Sequence, residues 1–429
     1  MEPSEKLNVT FAGVEMRSPL GVGAVAFPMG QFSEVTPEMH AEILYRHVEA
    51  GAGYVETVCS YAPEGDLKQQ LESKEHPSKF SPTRWMKVEG MDGLYFLDTA
   101  VSCPLERLIF TFDQRRRMVE ILKKKLPEGV AIINSQSSKD TPEANVLSAK
   151  KVEELGVDLL ELQLQPCAYL LGVEGATEAY LEKMDSRLKL LEEIVKATVK
   201  AVQIPVGVKL TPGEFGYPRF LELVKCFRDA GAKYVQLSNS AHAIAPPDIY
   251  NRGKPPYPYA DGNPFTGVSG APLRLECYRD VAAVAKFVPR VEIAASGGFL
   301  KPEHAVEVMM LGASLAQFCT GLLFRGRKLL SRATRFLENF LDEQGYRSVE
   351  ELVGLGLQYV KPVNKMTLVD TVAEVDEEKC TGCEICTDHF CLAMERREDN
   401  KAQANTEVCF GCGLCVATCP TQAIKLVPR

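Results

Sequence analysis

Short apolar runs alternate with stretches of helical periodicity along most of the chain, from about residue 18 to residue 343. The runs fall at 20–25, 54–58, 130–134, 158–164, 206–210, 234–239, 291–296 and 315–320. Four of the eight end in Asn, Ser or Thr, as buried parallel strands do when their C-terminal ends open onto a site. Helical segments such as 179–202, 272–287 and 302–312 separate them, and the last two open on a proline suited to a first helical turn. Eight strands with eight following helices predict an α/β fold of the (β/α)8 TIM-barrel type. A doubly wound open sheet is the rival, but no Gly-x-Gly-x-x-Gly follows the first strand.

Composition narrows the class without naming a chemistry. At 429 residues, 45% hydrophobic and 25% charged, the chain fits one large globular domain and one small one. The expected organisation is a barrel over 1–343, a linker over 344–375 and a small domain over 376–429. No apolar run reaches the roughly eighteen residues a bilayer span needs, so no membrane span is expected. A formal net charge of −8 argues against nucleic acid. Arg115, Arg116 and Arg117 with Lys123, Lys124 and Lys125 lie on a helical stretch and read as a solvated face. The N-terminal Met1-Glu2-Pro3-Ser4-Glu5-Lys6 lacks signal-peptide features, which implies reduced thiols and a cytoplasmic protein.

Those thiols carry the strongest signal. Eight of the 14 cysteines stand in the tail: Cys380, Cys383, Cys386 and Cys391, then Cys409, Cys412, Cys415 and the Cys419-Pro420 pair. Two C-x2-C-x2-C runs, one closed by Cys-Pro, are the spacing by which loops wrap two cubane 4Fe-4S clusters, each run lending its fourth cysteine to the other cluster. Disulfides would want a secreted chain, and three cysteines per run exceed what one tetrahedral zinc needs. The expected ligands are Cys380, Cys383, Cys386 and Cys419 for one cluster, with Cys409, Cys412, Cys415 and Cys391 for the other. Cys391 is reached through four residues where three are usual. A bulge would absorb the extra residue; otherwise the second cluster becomes a labile three-iron form. A ferredoxin-like domain of this kind carries electrons singly.

In a barrel, phosphate groups usually sit in the loops after the seventh and eighth strands. Here those loops read Ser296-Gly297-Gly298-Phe299 and Cys319-Thr320-Gly321-Leu322, both offering glycine amides near a helix start. An enzyme that receives single electrons and acts on organic substrates needs a cofactor that handles one and two, and flavin is the usual answer. The loop 241–270 is long and rich in proline and tyrosine, as a lid would be, and the insertion 60–104 reads as a lid or a partner surface. His242 is a second acid–base candidate at the start of the first of these.

Six segments stand in order along the chain: Val9-Thr10-Phe11-Ala12-Gly13-Val14 with Ser18-Pro19, Val208-Lys209-Leu210-Thr211-Pro212, Leu237-Ser238-Asn239-Ser240, Gly267-Val268-Ser269-Gly270, Ser296-Gly297-Gly298 and Leu311-Gly312-Ala313. Together they resemble the dihydropyrimidine dehydrogenases and the flavin barrels of dihydroorotate dehydrogenases, most of all the bacterial dihydropyrimidine dehydrogenase catalytic subunit. The resemblance implies FMN as the cofactor. It places Lys209 at the pyrimidine edge of the ring, where a cation stabilises negative charge, against the alternative of a salt-bridged barrel lysine. It also implies backbone approach at Gly23 and Ala24, cofactor contacts at Thr57, Asn239 and Gly270, and phosphate contacts at Gly297, Gly298, Thr320 and Gly321. Substrate positions are Asp98, Gln163, Asn239 and Ser240.

The departures lie at the substrate. Where the family reads Leu-Asn-Leu-Ser-Cys-Pro, this chain reads Leu162-Gln163-Leu164-Gln165-Pro166-Cys167, so Gln163 replaces an asparagine and Cys167 is displaced by one. Cys167 stands as the catalytic proton donor, with Tyr169 in reserve, against a buried inert thiol. Val58 stands where the family has a lysine, and Asp98 where it has a substrate-binding asparagine. The expected function is an FMN and iron–sulfur oxidoreductase acting on a CH–CH group of a small unsaturated substrate. A separate NAD(P)H- or FAD-binding subunit, or a ferredoxin, is the expected electron partner in an oligomeric assembly. Dihydropyrimidine dehydrogenase proper and an electron-transfer subunit are the alternatives.

Overall fold

The computed structural model describes residues 2–23, 36–58, 85–87, 94–97, 112–136, 141–164, 184–211, 219–244, 247–254, 265–367, 369–388 and 391–429. The chain divides into two units, Met1–Val360 and Lys361–Arg429. The first is a closed barrel of eight parallel strands: β3 Leu20–Val22, β4 Tyr54–Val58, β7 Ala131–Gln136, β8 Leu159–Gln163, β9 Val206–Leu210, β10 Tyr234–Leu237, β13 Glu292–Ser296 and β14 Leu315–Phe318. They follow one another around the barrel in chain order, and β14 pairs with β3 to close it. All eight coincide with the apolar runs, which bears out the barrel and disposes of the open sheet.

Helices cover the outside because each carries one apolar stripe. In α1, Pro37–Glu49, the buried Ala41, Leu44 and Val48 recur at helical spacing, and Thr36 caps the first turn by accepting from the Met39 amide at 3.2 Å. Further helices follow in turn: α2 Phe112–Lys125, α3 Pro142–Glu154, α4 Met184–Ala201, α5 Arg219–Asp229, α6 Leu273–Phe287, α7 Glu303–Met310, α8 Thr320–Arg325 and α9 Lys328–Gln344. A hairpin of β1 Val9–Phe11 and β2 Val14–Met16 brings Phe11 against Tyr234 at the N-terminal end of the strands, ring centroids 5.0 Å apart.

Inside the barrel, Tyr54 and Tyr234 are fully buried, and glycine makes room for each. Gly21 is the register partner of Tyr54, and Gly207 that of Tyr234. A β-carbon at either glycine would fall within the neighbouring ring. The two long connections come together: β5 Trp85–Lys87 and β6 Leu94–Leu97 from the first, with β11 Ala241–Ile244 and β12 Phe265–Gly270 from the second, form one antiparallel sheet.

Within the stretch 344–375, expected as a linker, the residues to Val360 group with the barrel unit. Val349 and Leu352 are buried in the barrel core, and the Gly354 amide donates to the Met309 carbonyl at 2.9 Å. The same stretch ends in β15 Thr371–Val375, which pairs antiparallel with β18 Ile424–Pro428 in the second unit. That unit adds a hairpin of β16 Met394–Arg396 with β17 Ala402–Ala404 and the short α10 Leu414–Thr418. Among described residues, no helix is long and apolar enough to cross a membrane.

Gly21→Ala is expected to destabilise the barrel by about 3 kcal/mol through overpacking against Tyr54. Urea unfolding followed by circular dichroism checks this, and adding Tyr54→Leu should recover part of the loss because the two positions share one contact.

Candidate active site

At the C-terminal ends of the barrel strands a cleft opens. Gly23, Lys209, Asn239, Ser240, Gly270, Gly297, Gly298 and Thr320 all line it, so eight of the positions singled out from sequence meet at one place. The glycines are there for geometry. Gly297 and Gly298 have φ of 131° and 72°, and a β-carbon on Gly298 would collide with the Gly270 carbonyl. Gly23 lies so close to Gln317 that a β-carbon would sit 3.1 Å from its side-chain oxygen. Such a wall lets a flat ring system approach backbone, and its loops present amides to an anion. Ser240 and Ser269 hydroxyls bond to each other at 2.7 Å across the loop mouth.

Beneath the cleft the barrel interior is polar where most barrels are aliphatic. Lys209 Nζ donates to Glu56 Oε1 at 2.9 Å and lies 3.4 Å from Glu161 Oε1. Gln317 Nε2 donates to Glu56 Oε2 at 2.7 Å, and Ser135 Oγ donates to Glu161 Oε1 at 3.0 Å. Burial works against the Lys209 charge, but Glu56 and Glu161 outweigh it and hold the ammonium above its ordinary pKa. Burial, only partly offset by Lys209 and reinforced by Glu56, pushes Glu161 up to about 8. Lys209 is therefore both a cleft residue and a salt-bridged barrel lysine.

Other expected positions fall elsewhere. Thr57 is buried on the strand face opposite Glu56, with its hydroxyl 3.1 Å from Asn134 Oδ1, and is not among the residues that line the cleft. Side chains alternate along a strand, so only one of Glu56 and Thr57 can face inward. Gln163 is half-buried and donates to Ser135 Oγ at 2.7 Å without lining the cleft. Gly321 stands behind it, where a β-carbon would strike the Phe299 carbonyl. Ala24, Asp98, Cys167 and Tyr169 lie outside the described residues, as does the His242 side chain. Sequence reasoning missed Glu56, Glu161, Ser269 and Gln317. A charged residue in the middle of an apolar strand, as in Tyr-Val-Glu-Thr-Val, was the available signal.

In the second unit, Cys380, Cys383, Cys386 and Cys419 line one small pocket. Burial raises the Cys386 thiol, and the neighbouring Cys380, Cys383 and Cys415 raise it further. Cys415 is raised in the same way by burial and then by Cys409, Cys412 and Cys391. Backbone amides point at sulfur: Ala423 N to Cys419 at 3.2 Å, Ala373 N to Cys409 at 3.4 Å and Ala402 N to Cys380 at 3.5 Å. Converging thiols with amide donors suit thiolates that hold an iron–sulfur cluster. Apart from cysteines, the buried apolar set here is Val372, Ala373, Ala393, Met394, Ala402, Ala423 and Ile424, a small core for an independent unit.

Comparison with known proteins decides the family. The profile for dihydroorotate dehydrogenase matches residues 113–341, from α2 into α9. The chain belongs to the dihydroorotate dehydrogenase family. A 4Fe-4S binding domain matches residues 402–425, which include the second cysteine run. Among relatives, the catalytic subunit of dihydroorotate dehydrogenase B (NAD(+)) from Thermoplasma volcanium is 32% identical over 53% of this chain and 68% of its own. The corresponding subunit from Thermococcus kodakarensis is 32% identical over 51% of this chain and 66% of its own. The NAD-dependent dihydropyrimidine dehydrogenase subunit PreA of Escherichia coli is 25% identical over 71% of this chain and 73% of its own. This family member is thus an oxidoreductase acting on CH–CH groups, with a 4Fe-4S domain added to the barrel.

Glu161 gives the barrel a pH signature. A carboxyl whose pKa is raised on folding binds its proton more tightly in the folded chain, so stability falls as pH rises towards the folded pKa near 8. Between about pH 6.5 and 8 the slope should reach up to ~1.4 kcal/mol per pH unit. Glu161→Gln is expected to flatten it, as measured by unfolding midpoints across that range.

Proposed function

We propose that the chain binds FMN in the barrel cleft and two 4Fe-4S clusters in the second unit, and that it moves electrons between the clusters and a CH–CH bond of a small cyclic substrate. The observation that carries this reading is the meeting of the two glycine loops after β13 and β14 with the Lys209 ammonium in one cleft. FMN, when bound, supplies hydride transfer on one side and single-electron exchange on the other. Gly297, Gly298 and Thr320 are the proposed phosphate contacts, with Gly321 keeping the loop close to Phe299. Gly23 and Ala24 are proposed to lie against the ring, and Gly270 beside it. Lys209 offers its charge at the ring's pyrimidine edge, and Asn239 and Ser240 offer an amide and hydroxyls to the substrate.

Cys167 is the proposed proton donor, and Asp98 and Gln163 are proposed to select the substrate. An ionised Asp98 accepts hydrogen bonds but donates none, so it favours a ring N–H or hydroxyl over a carbonyl. A dihydropyrimidine offers ring N–H groups to such a carboxylate, but its carbonyls find no donor there, so another activated ring is the first reading; the dihydropyrimidine is the alternative because PreA is a dihydropyrimidine dehydrogenase subunit. Cys380, Cys383, Cys386 and Cys419 are the proposed ligands of one cluster, and Cys409, Cys412, Cys415 and Cys391 those of the other. The relatives are themselves named as subunits, which supports a separate NAD(P)H- or FAD-binding partner or a ferredoxin, in a reducing, cytoplasmic setting.

Purified without oxygen, the chain should carry about one FMN and about eight iron atoms, read by absorption and iron analysis. Cys391→Ser should lower the iron count and give a three-iron EPR signal while leaving FMN in place. Lys209→Met should weaken FMN binding by about tenfold or more, with the iron unchanged.

A further inference from the structure

Counting donors around the two buried carboxyls leaves one oxygen without a proton. Both oxygens of Glu56 are supplied, one by Lys209 and one by Gln317. Glu161 Oε1 receives Ser135 Oγ, whose own lone pair is taken by Gln163, so the serine hydrogen is committed to Glu161. Glu161 Oε2 is buried with no donor at all. Its carboxyl nevertheless meets that of Glu56 at one ammonium, with Lys209 Nζ 2.9 Å from Glu56 Oε1 and 3.4 Å from Glu161 Oε1. Two acceptors that approach each other away from water need a proton between them, and an ionised oxygen left bare there would be expensive.

We propose that Glu56 and Glu161 share one proton under the cleft, and that this pair positions the Lys209 ammonium. With the proton in place, Lys209 is held by Glu56 alone and its charge is available to the cleft. With the proton gone, a second carboxylate draws the ammonium down. The groups that face Glu161 come from every side of the barrel: Glu56 and Tyr54 from β4, Ser135 from β7, Lys209 from β9 and Tyr234 from β10. Cys319, which lines the cleft, also acts on Lys209. Both tyrosine hydroxyls are held far above their ordinary pKa, first by burial and then by the carboxyls, so Glu161 is the group that changes charge near neutrality.

Two measurements on the full chain test this. Infrared difference spectroscopy of the FMN-free protein should show a neutral carboxylic carbonyl band at pH 7 that disappears with a midpoint near pH 8. The band should be absent from Glu161→Gln, and also from Glu56→Gln, where Glu161 becomes the sole counterion of Lys209. A missing band in the unaltered protein, or one that survives in Glu56→Gln, overturns the shared proton without reference to FMN. The second measurement rests on the proposed FMN site. FMN affinity should fall about tenfold between pH 7 and 9 in the unaltered chain and stay flat in Glu161→Gln. A flat profile in the unaltered chain, with its carbonyl band in place, overturns the positioning role alone.

Discussion

An ammonium in the middle of a protein must be answered by charge, and in this barrel Lys209 is answered by Glu56 at 2.9 Å. The rest of the interior is arranged around that pair. Gln317 fixes the second oxygen of Glu56, Ser135, itself held by Gln163, donates to Glu161, and Tyr54 and Tyr234 fill the space beneath. Gly21 and Gly207 exist as glycines because those rings need their volume. The result is a rigid polar floor under a cleft walled by glycine, which places one positive charge where it can act on a bound ring.

The second unit answers a different constraint. Its apolar core is small, and much of what is buried is cysteine sulfur. A unit with so small a core draws stability from a group its cysteines bind, which ties folding to the proposed clusters. The amides aimed at Cys380, Cys409 and Cys419 would both stabilise thiolate charge and raise the potential of a bound cluster.

Much of this was legible in the sequence, for identifiable reasons. Parallel barrel strands are buried on both faces, so 206–210 and 234–239 stand out as apolar runs, and the cysteine spacing needs no tertiary information. The glycine loops and Lys209 were readable because strand ends in a barrel have fixed positions. The side on which Thr57 lies was not legible, because side chains alternate along a strand and the sequence alone did not reveal that Glu56 takes the inward face. Pairing of 94–97 with 267–270 was not legible either, since it joins segments far apart in the chain. The stretch after residue 343 looked like a linker because its helical turns are short, although Val349 and Leu352 bury completely.

The central claim is that one chain carries electrons between its cysteine-bound clusters and a flavin in the barrel, which exchanges them with a CH–CH bond. Its most direct test is stopped-flow spectroscopy of the fully reduced chain, freed of donor and mixed with candidate unsaturated rings such as pyrimidines and orotate. The account predicts that an effective substrate restores the flavin band and the cluster bands together, with more than one equivalent of product per flavin. Reoxidation of the flavin alone, with the clusters left reduced, would contradict it.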